Sequence, residues 1–164
     1  MALPDALLDR LRRVKLLAID VDGVLTDGRL YFQADGIEIK AFHTQDGHGL
    51  KLLKRVGIHV ALITGRDSPM VSQRAAALGI THVHQGCEDK LTTLRALCQR
   101  LDITLEQVAY CGDDLPDLAP IKRSGVGITV PNAPDYMHPH ADWITERLGG
   151  HGAVREICDT LLTS

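Results

Sequence analysis

Two aspartates one residue apart, Asp20 and Asp22, close the apolar run in "LLAIDVDGVLTDG" (residues 16–28). Carboxylates so close repel one another and lose solvation, so the pair costs stability unless a cation or a reaction uses it. Further along, "ITGRDS" presents Thr64, Gly65 and Arg66 after a second apolar run, and "YCGDDLPD" presents Asp113, Asp114 and Asp117 after a third. Lys90 falls between those two groups. Together they supply a carboxylate able to act as nucleophile, a second carboxylate, a hydroxyl, a cation and further acids. Hard oxygen ligands of this kind suit Mg2+. Phosphoryl transfer is the chemistry the parts fit, with Mg2+ shared between Asp20 and Asp113 to offset the clustered charge.

Residues so far apart need a scaffold that gathers them. Runs rich in β-formers recur at "VKLLAID", "IHVALIT", "THVHQ", "VAYCGD", "GVGITV" and "ADWIT", and stretches with helical spacing such as "GHGLKLLKRVG" and "DKLTTLRALCQRL" lie between them. Ser68-Pro69 suits a helix start, while Gly57 and Gly79 stand where helices commonly end. Alternation of this sort predicts a doubly wound, mostly parallel α/β sheet, which places ligands at the carboxyl ends of its strands. One segment departs from it: "GRLYFQADGIEIKAF" sets Asp35-Gly36 between two β-forming runs, the pattern of a hairpin inserted after the first strand, over about residues 28–43.

A chain of 164 residues with 45% hydrophobic content fills one core, so a single domain over 1–164 is expected. The net charge of -3 has no basic stripe for nucleic acid and no polybasic segment for a membrane surface, which favours a small-molecule partner. Cys87, Cys98, Cys111 and Cys158 lie far apart without a C-x-x-C pair, as in a protein of the reducing cytoplasm. The start, "MALPDALLDRLRR", lacks the pattern of a secretory signal and reads as a short amphipathic helix with Pro4 near its first turn.

The series D-x-D-G-x-x-T-D-G, T-G-R, lysine and G-D-D-x-x-D resembles the haloacid dehalogenase superfamily of phosphatases. "FHTQDGHGLKLL", "LGITHVHQGCEDK" and "GGHGAVREICDTLL" narrow the resemblance to its capless class, the 3-deoxy-D-manno-octulosonate 8-phosphate phosphatases. The resemblance implies a Rossmann-like fold without a cap domain and a homotetramer in which hairpins close a barrel. It further implies that Asp20 forms an aspartyl phosphate, that Asp22 is the acid and base, and that Asp20, the Asp22 backbone carbonyl and Asp113 hold Mg2+. Thr64, Gly65 and Lys90 would bind the phosphoryl group, Asp114 and Asp117 would support the metal, and Asp46, Gly47, Lys51, Arg66 and Arg74 would face the sugar acid phosphate. Gln45 and His151 stand where the family often has arginine, so the substrate's carboxylate end is expected to be held differently here. Gly149, Gly150 and Gly152 predict a flexible stretch ahead of a docked helix in the tail, about 146–164, suiting a lid over a neighbouring site.

Other patterns carry blander readings. His82 and His84 share one strand face but lack a third ligand nearby, and His138 and His140 flank a proline in a loop. Cys111 sits in an apolar run, as a packing residue does. A signalling receiver domain uses similar parts in another order, with its acidic pair on the first strand and its phosphoacceptor on the third. A silent regulatory relative would lack one of the key acids, and a nonulosonate 9-phosphate phosphatase would share the same core.

Overall fold

The computed structural model describes residues 2–164. α1 (Asp5–Leu11) starts after Pro4 and buries Leu7 and Leu11. β1 (Leu16–Ile19) follows, then β2 (Tyr31–Phe32), β3 (Glu38–Ile39) and α2 (Thr44–Arg55). From there helices and strands alternate: β4 (His59–Ile63), α3 (Pro69–Leu78), β5 (His82–His84), α4 (Lys90–Leu101), β6 (Val108–Cys111), α5 (Leu118–Arg123) and β7 (Val126–Thr129). β8 (Trp143–Ile144) and α6 (Ala153–Thr163) close the chain. Gly79 ends α3 at φ 67°, a left-handed position that glycine adopts without strain. Ser68 occupies the N-cap of α3, yet its hydroxyl makes no capping bond, and Pro69 alone sets the helix start.

Six strands form one sheet in the order β5-β4-β1-β6-β7-β8, and every neighbouring pair is parallel. The chain winds outward from β1 to β5, then crosses back to β6 and winds outward to β8. The switch point therefore lies at β1, between β4 and β6, where open α/β sheets bind their ligands. All four residues of β1 are buried, as a central strand covered on both faces requires. α2 packs against α3 and α6, and α4 against α5. Register does the rest of the positioning. Ile19 lies opposite Leu62 and Cys111, so Asp20 comes one step past the paired row and Thr64 and Asp113 two steps past it. At ~3.3 Å per residue the three emerge at nearly one level above adjacent strands.

β2 and β3 make the expected hairpin, with Tyr31 opposite Ile39, Phe32 opposite Glu38, and Gly36 turning at φ 87°. The Asp35 carboxylate accepts the Ile37 N–H at 3.0 Å and fixes the turn. Most of its apolar residues stay uncovered: Phe32 is 61% exposed and Ile37 56%.

The tail departs from expectation, because its glycines serve close contact rather than mobility. A side chain at Gly149 would overlap the Gly23 carbonyl, and one at Gly150 would overlap the Asp27 amide. Gly149 N–H donates to Asn132 Oδ1 at 2.8 Å, Gly150 N–H to the Val24 carbonyl at 3.0 Å, and the Glu156 carboxylate accepts from Glu146 N–H at 2.8 Å and Arg147 N–H at 2.9 Å. The segment is thus tied to α6, to Asn132 and, through Gly150, to the loop after β1 of the same chain. α6 then buries Ala153, Val154, Ile157, Cys158 and Leu161.

Candidate active site

Asp20 leaves β1 in extended backbone, and its Oδ1 accepts the Val21 N–H at 2.7 Å. The same oxygen meets Lys90 Nζ at 3.1 Å. The chain then turns at Gly23, φ 88°, where any side chain would overlap the Asp113 carboxylate. That glycine allows the two acidic loops to touch. Thr26 holds the turn by accepting N–H bonds from Gly23 at 3.3 Å and Gly28 at 3.2 Å. Asn132 Nδ2 donates to the Gly23 carbonyl at 2.9 Å while its Oδ1 takes the Gly149 N–H, so one side chain clamps the loop to the tail.

Across the switch point, the fully buried Asp117 organises the second acidic loop. Its Oδ1 accepts from Lys90 Nζ at 2.8 Å and Tyr110 OH at 2.6 Å, and its Oδ2 from the N–H groups of Asp113 at 3.1 Å and Asp114 at 3.4 Å. Four donors use the acceptor sites of one carboxylate. Lys90, at the first position of α4 and 3% exposed, is thereby held between Asp117 and Asp20. Burial opposes its charge, but Asp117 and Asp20 outweigh burial and raise its pKa.

One ammonium does not balance this cluster. Carboxylate oxygens of Asp20, Asp113 and Asp117 lie within 4.8 Å of one another. Burial first, then the nearby Asp117 and Asp113, push Asp20 well above the usual carboxylate range against the pull of Lys90. Asp113 is pushed up to about 6, by burial and then by Asp117. A hard divalent cation is the partner such oxygens fit. With Asp117 already engaged by four donors, Asp20 and Asp113 are the carboxylates left to hold it.

Around this centre the structure brings some of the sequence candidates together and separates others. Thr64 is buried beside the cluster loops, fixed by its N–H to the His84 carbonyl at 2.9 Å, while Gly65 and Arg66 are exposed at the rim. Asp22 Oδ1 accepts from Lys40 Nζ at 2.6 Å, and Asp22 Oδ2 lies 4.0 Å from Arg66 Nε. Arg66 in turn bonds Glu38 at 2.7 Å, and Glu38 meets Lys40 at 2.9 Å. Asp114 accepts from Leu115 N–H at 2.8 Å and Tyr136 OH at 2.7 Å.

Asp46 is instead fully buried, with Oδ1 taking the Arg155 N–H at 2.8 Å in the first turn of α6. It supplies the cap that Gly152 cannot. Gly47 sits beneath Arg74 and Leu78, where a side chain would not fit, and the Arg74 guanidinium lies 5.7 Å from the Phe42 ring centre. Lys51, one turn from the end of α2, lines a groove with Ala76, Leu78 and Gly79 that holds none of the strand-end residues. His82 and His84 belong to no metal-binding group among the described residues, and Cys111 is fully buried. Lys40, Glu38, Tyr110 and Asn132 had escaped sequence reasoning. The one signal available was the i,i+2 spacing of Glu38 and Lys40, which aligns Lys40, one residue past β3, with Glu38 on the strand.

A parallel sheet with buried carboxylates at its switch point, a lysine between them and no domain above them defines a class, the haloacid dehalogenase-like hydrolases, and the family model of that description matches residues 82–157. The 3-deoxy-D-manno-octulosonate 8-phosphate phosphatase KdsC of Escherichia coli (strain K12) is 46% identical over 149 residues, covering 91% of this chain and 79% of the relative. A crystal structure of the Moraxella catarrhalis phosphatase of the same name, in complex with magnesium ion, phosphate ion and a KDO molecule, superposes with a TM-score of 0.95 at 48% identity, covering 97% of this chain and 91% of that one. The cobalt-bound Haemophilus influenzae phosphatase gives a TM-score of 0.90 at 42% identity, covering 94% and 90%. The chain belongs to the 3-deoxy-D-manno-octulosonate 8-phosphate phosphatase family of haloacid dehalogenase-like hydrolases.

Proposed function

We propose that this chain is a magnesium-dependent phosphatase that hydrolyses 3-deoxy-D-manno-octulosonate 8-phosphate to the free sugar acid and phosphate. The observation that carries the reading is the convergence of Asp20, Asp113 and Lys90 at the switch point in a chain 46% identical to an enzyme of that name. An Asp20 oxygen attacks phosphorus in line, the bond from phosphorus to the sugar oxygen breaks, and an aspartyl phosphate forms. Asp22 gives its proton to the departing sugar oxygen. A water then attacks the aspartyl phosphate, Asp22 takes that water's proton, and phosphate leaves with Asp20 restored. Lys90 balances charge on Asp20 and the transferred group, and the Thr64 hydroxyl with the Gly65 N–H donates to phosphoryl oxygens. Asp20, Asp113 and the Asp22 backbone carbonyl would hold magnesium, which would supply neutralisation of phosphoryl charge.

Arg66, at the rim, is the member of the outer set suited to meet the sugar acid. Asp46 and Gly47 act by seating α2 against α6 and α3, Arg74 by its contact with Phe42, and Asp114 and Asp117 by holding the metal loop and Lys90. No helix among the described residues is long and apolar enough to cross a membrane. The free cysteines suit the reducing cytoplasm, and the bare hairpin suits a homotetramer. Phosphate release by the purified chain with Mg2+, assayed on 3-deoxy-D-manno-octulosonate 8-phosphate, a nonulosonate 9-phosphate and a generic aryl ester, tests the function. The octulosonate ester is expected to give the highest kcat/KM. A preference for the nonulosonate ester reassigns the substrate, the change that Gln45 in place of an arginine would produce. No release from any ester overturns the phosphatase.

A further inference from the structure

Lys40 inverts the ordinary placement of residues on the hairpin. Its side chain is 1% exposed, whereas Phe32 and Ile37 on the same hairpin are 61% and 56% exposed. Lysine is among the residues least often buried, and a buried ammonium needs carboxylate partners. Lys40 has two, Asp22 Oδ1 at 2.6 Å and Glu38 Oε1 at 2.9 Å, and Arg66 closes the group by bonding Glu38 Oε2 at 2.7 Å. Two cations and two anions form a balanced quartet joining the hairpin, the loop after β1 and the loop after β4. Tyr31 OH ties the hairpin base to Asp27 as well, at 2.8 Å.

What Lys40 does uniquely is grip one oxygen of Asp22. With Oδ1 pinned, the carboxylate cannot rotate freely, and Oδ2, 4.0 Å from Arg66 Nε, is the oxygen left to address a substrate. We propose that Lys40 is a positioning residue of the reaction, fixing Asp22 so that its open oxygen meets the departing sugar oxygen; this rests on the phosphatase reading above. A proton delivered at that point matters most when the leaving group is a poor one. An alkoxide of a sugar needs it, whereas a nitrophenolate leaves without it.

The test is leaving-group dependence. Wild type, Lys40→Met, Lys40→Arg and Asp22→Asn are assayed with saturating Mg2+ on the sugar acid phosphate, on phenyl phosphate and on p-nitrophenyl phosphate. Lys40→Met is expected to lower kcat on the sugar ester at least about tenfold more than on p-nitrophenyl phosphate, in the same direction as Asp22→Asn, with phenyl phosphate between. Lys40→Arg is expected to recover part of that difference. If Lys40→Met misfolds because Asp22 and Glu38 are left unbalanced, the pair variant Glu38→Gln/Lys40→Met removes the excess charge, and the same dependence is expected of it. Equal loss on all three esters, or no loss, in a folded variant overturns the role of Lys40 alone. A wild type inert on every ester overturns the phosphatase reading and this one with it.

Discussion

Asp20 shares a single ammonium with Asp117, and that shortage of positive charge explains most of what surrounds it. Removing its charge while keeping its shape, Asp20→Asn, is expected to cost at least about a thousandfold in turnover, because no other carboxylate replaces the nucleophile. Phosphate release within tenfold of wild type would reject Asp20 in that role. Chelation of Mg2+ is expected to abolish turnover and its readdition to restore it, and activity that survives exhaustive dialysis against a chelator counts against the metal. Asp46 gives a pH prediction of its own. Burial raises its pKa, opposed by the Arg155 N–H bond and by His43, Arg147 and Arg74. The folded chain therefore binds this proton more tightly than the unfolded chain, and the stability linked to it is lost as pH rises through the raised value. Asp46→Asn lacks that loss, so its Tm relative to wild type is expected to climb as pH rises from the ordinary carboxylate range through the raised value. A flat or falling difference would show that the buried carboxyl is not the source. Asp20, Thr64 and Asp113 could be read as neighbours from sequence because each follows an apolar run within two residues. Lys40 and Asn132 could not, since their partners Asp22 and Gly23 lie 18 and 109 residues away and only the fold joins them.

At the scale of elements, alternation of strand and helix was legible because a parallel sheet forces helical crossovers between β-rich runs. The tail was misread for a physical reason: glycine serves both mobility and close approach, and a sequence does not say which. Here Gly149 and Gly150 press against the loop carrying Asp20, so the tail supports the site from within its own chain. Gly149→Ala forces its new methyl into the Gly23 carbonyl, and the loop must shift. A loss of about 1–3 kcal/mol in stability is expected from overpacking of this kind, with a fall in kcat because the displaced turn carries Asp20 and Asp22. Thermal unfolding paired with phosphate release checks both, and unchanged values for the two would place the tail elsewhere in solution. Truncation after Thr145 is expected to unfold the chain rather than open a lid, because α6 buries five side chains and Asp46 loses the N–H it accepts.

The whole molecule holds its chemistry at the switch point of one sheet and leaves its hairpin unfinished. Leu30, Tyr31, Phe32, Ile37 and Ile39 are each at least 39% exposed, on a two-stranded ribbon of a kind that is marginal in water. The quartet around Lys40 fixes the ribbon's base to the site, so whatever covers the ribbon also steadies Asp22. A second copy of the chain offers the same bare strands, and closing several such hairpins into a barrel would remove every free edge. A homotetramer is therefore the expected state at micromolar concentration, measured by light scattering during size-exclusion chromatography. Phe32→Ser with Ile37→Ser changes only exposed positions and is expected to shift the mass downward while leaving the sheet folded. It is also expected to lower kcat, since an unsupported ribbon lets Lys40 and Asp22 move together. A wild type that elutes as a monomer rejects the assembly. A tetramer that survives the double substitution keeps the assembly but moves the interface away from the hairpin, and the coupling from assembly to Asp22 fails with it.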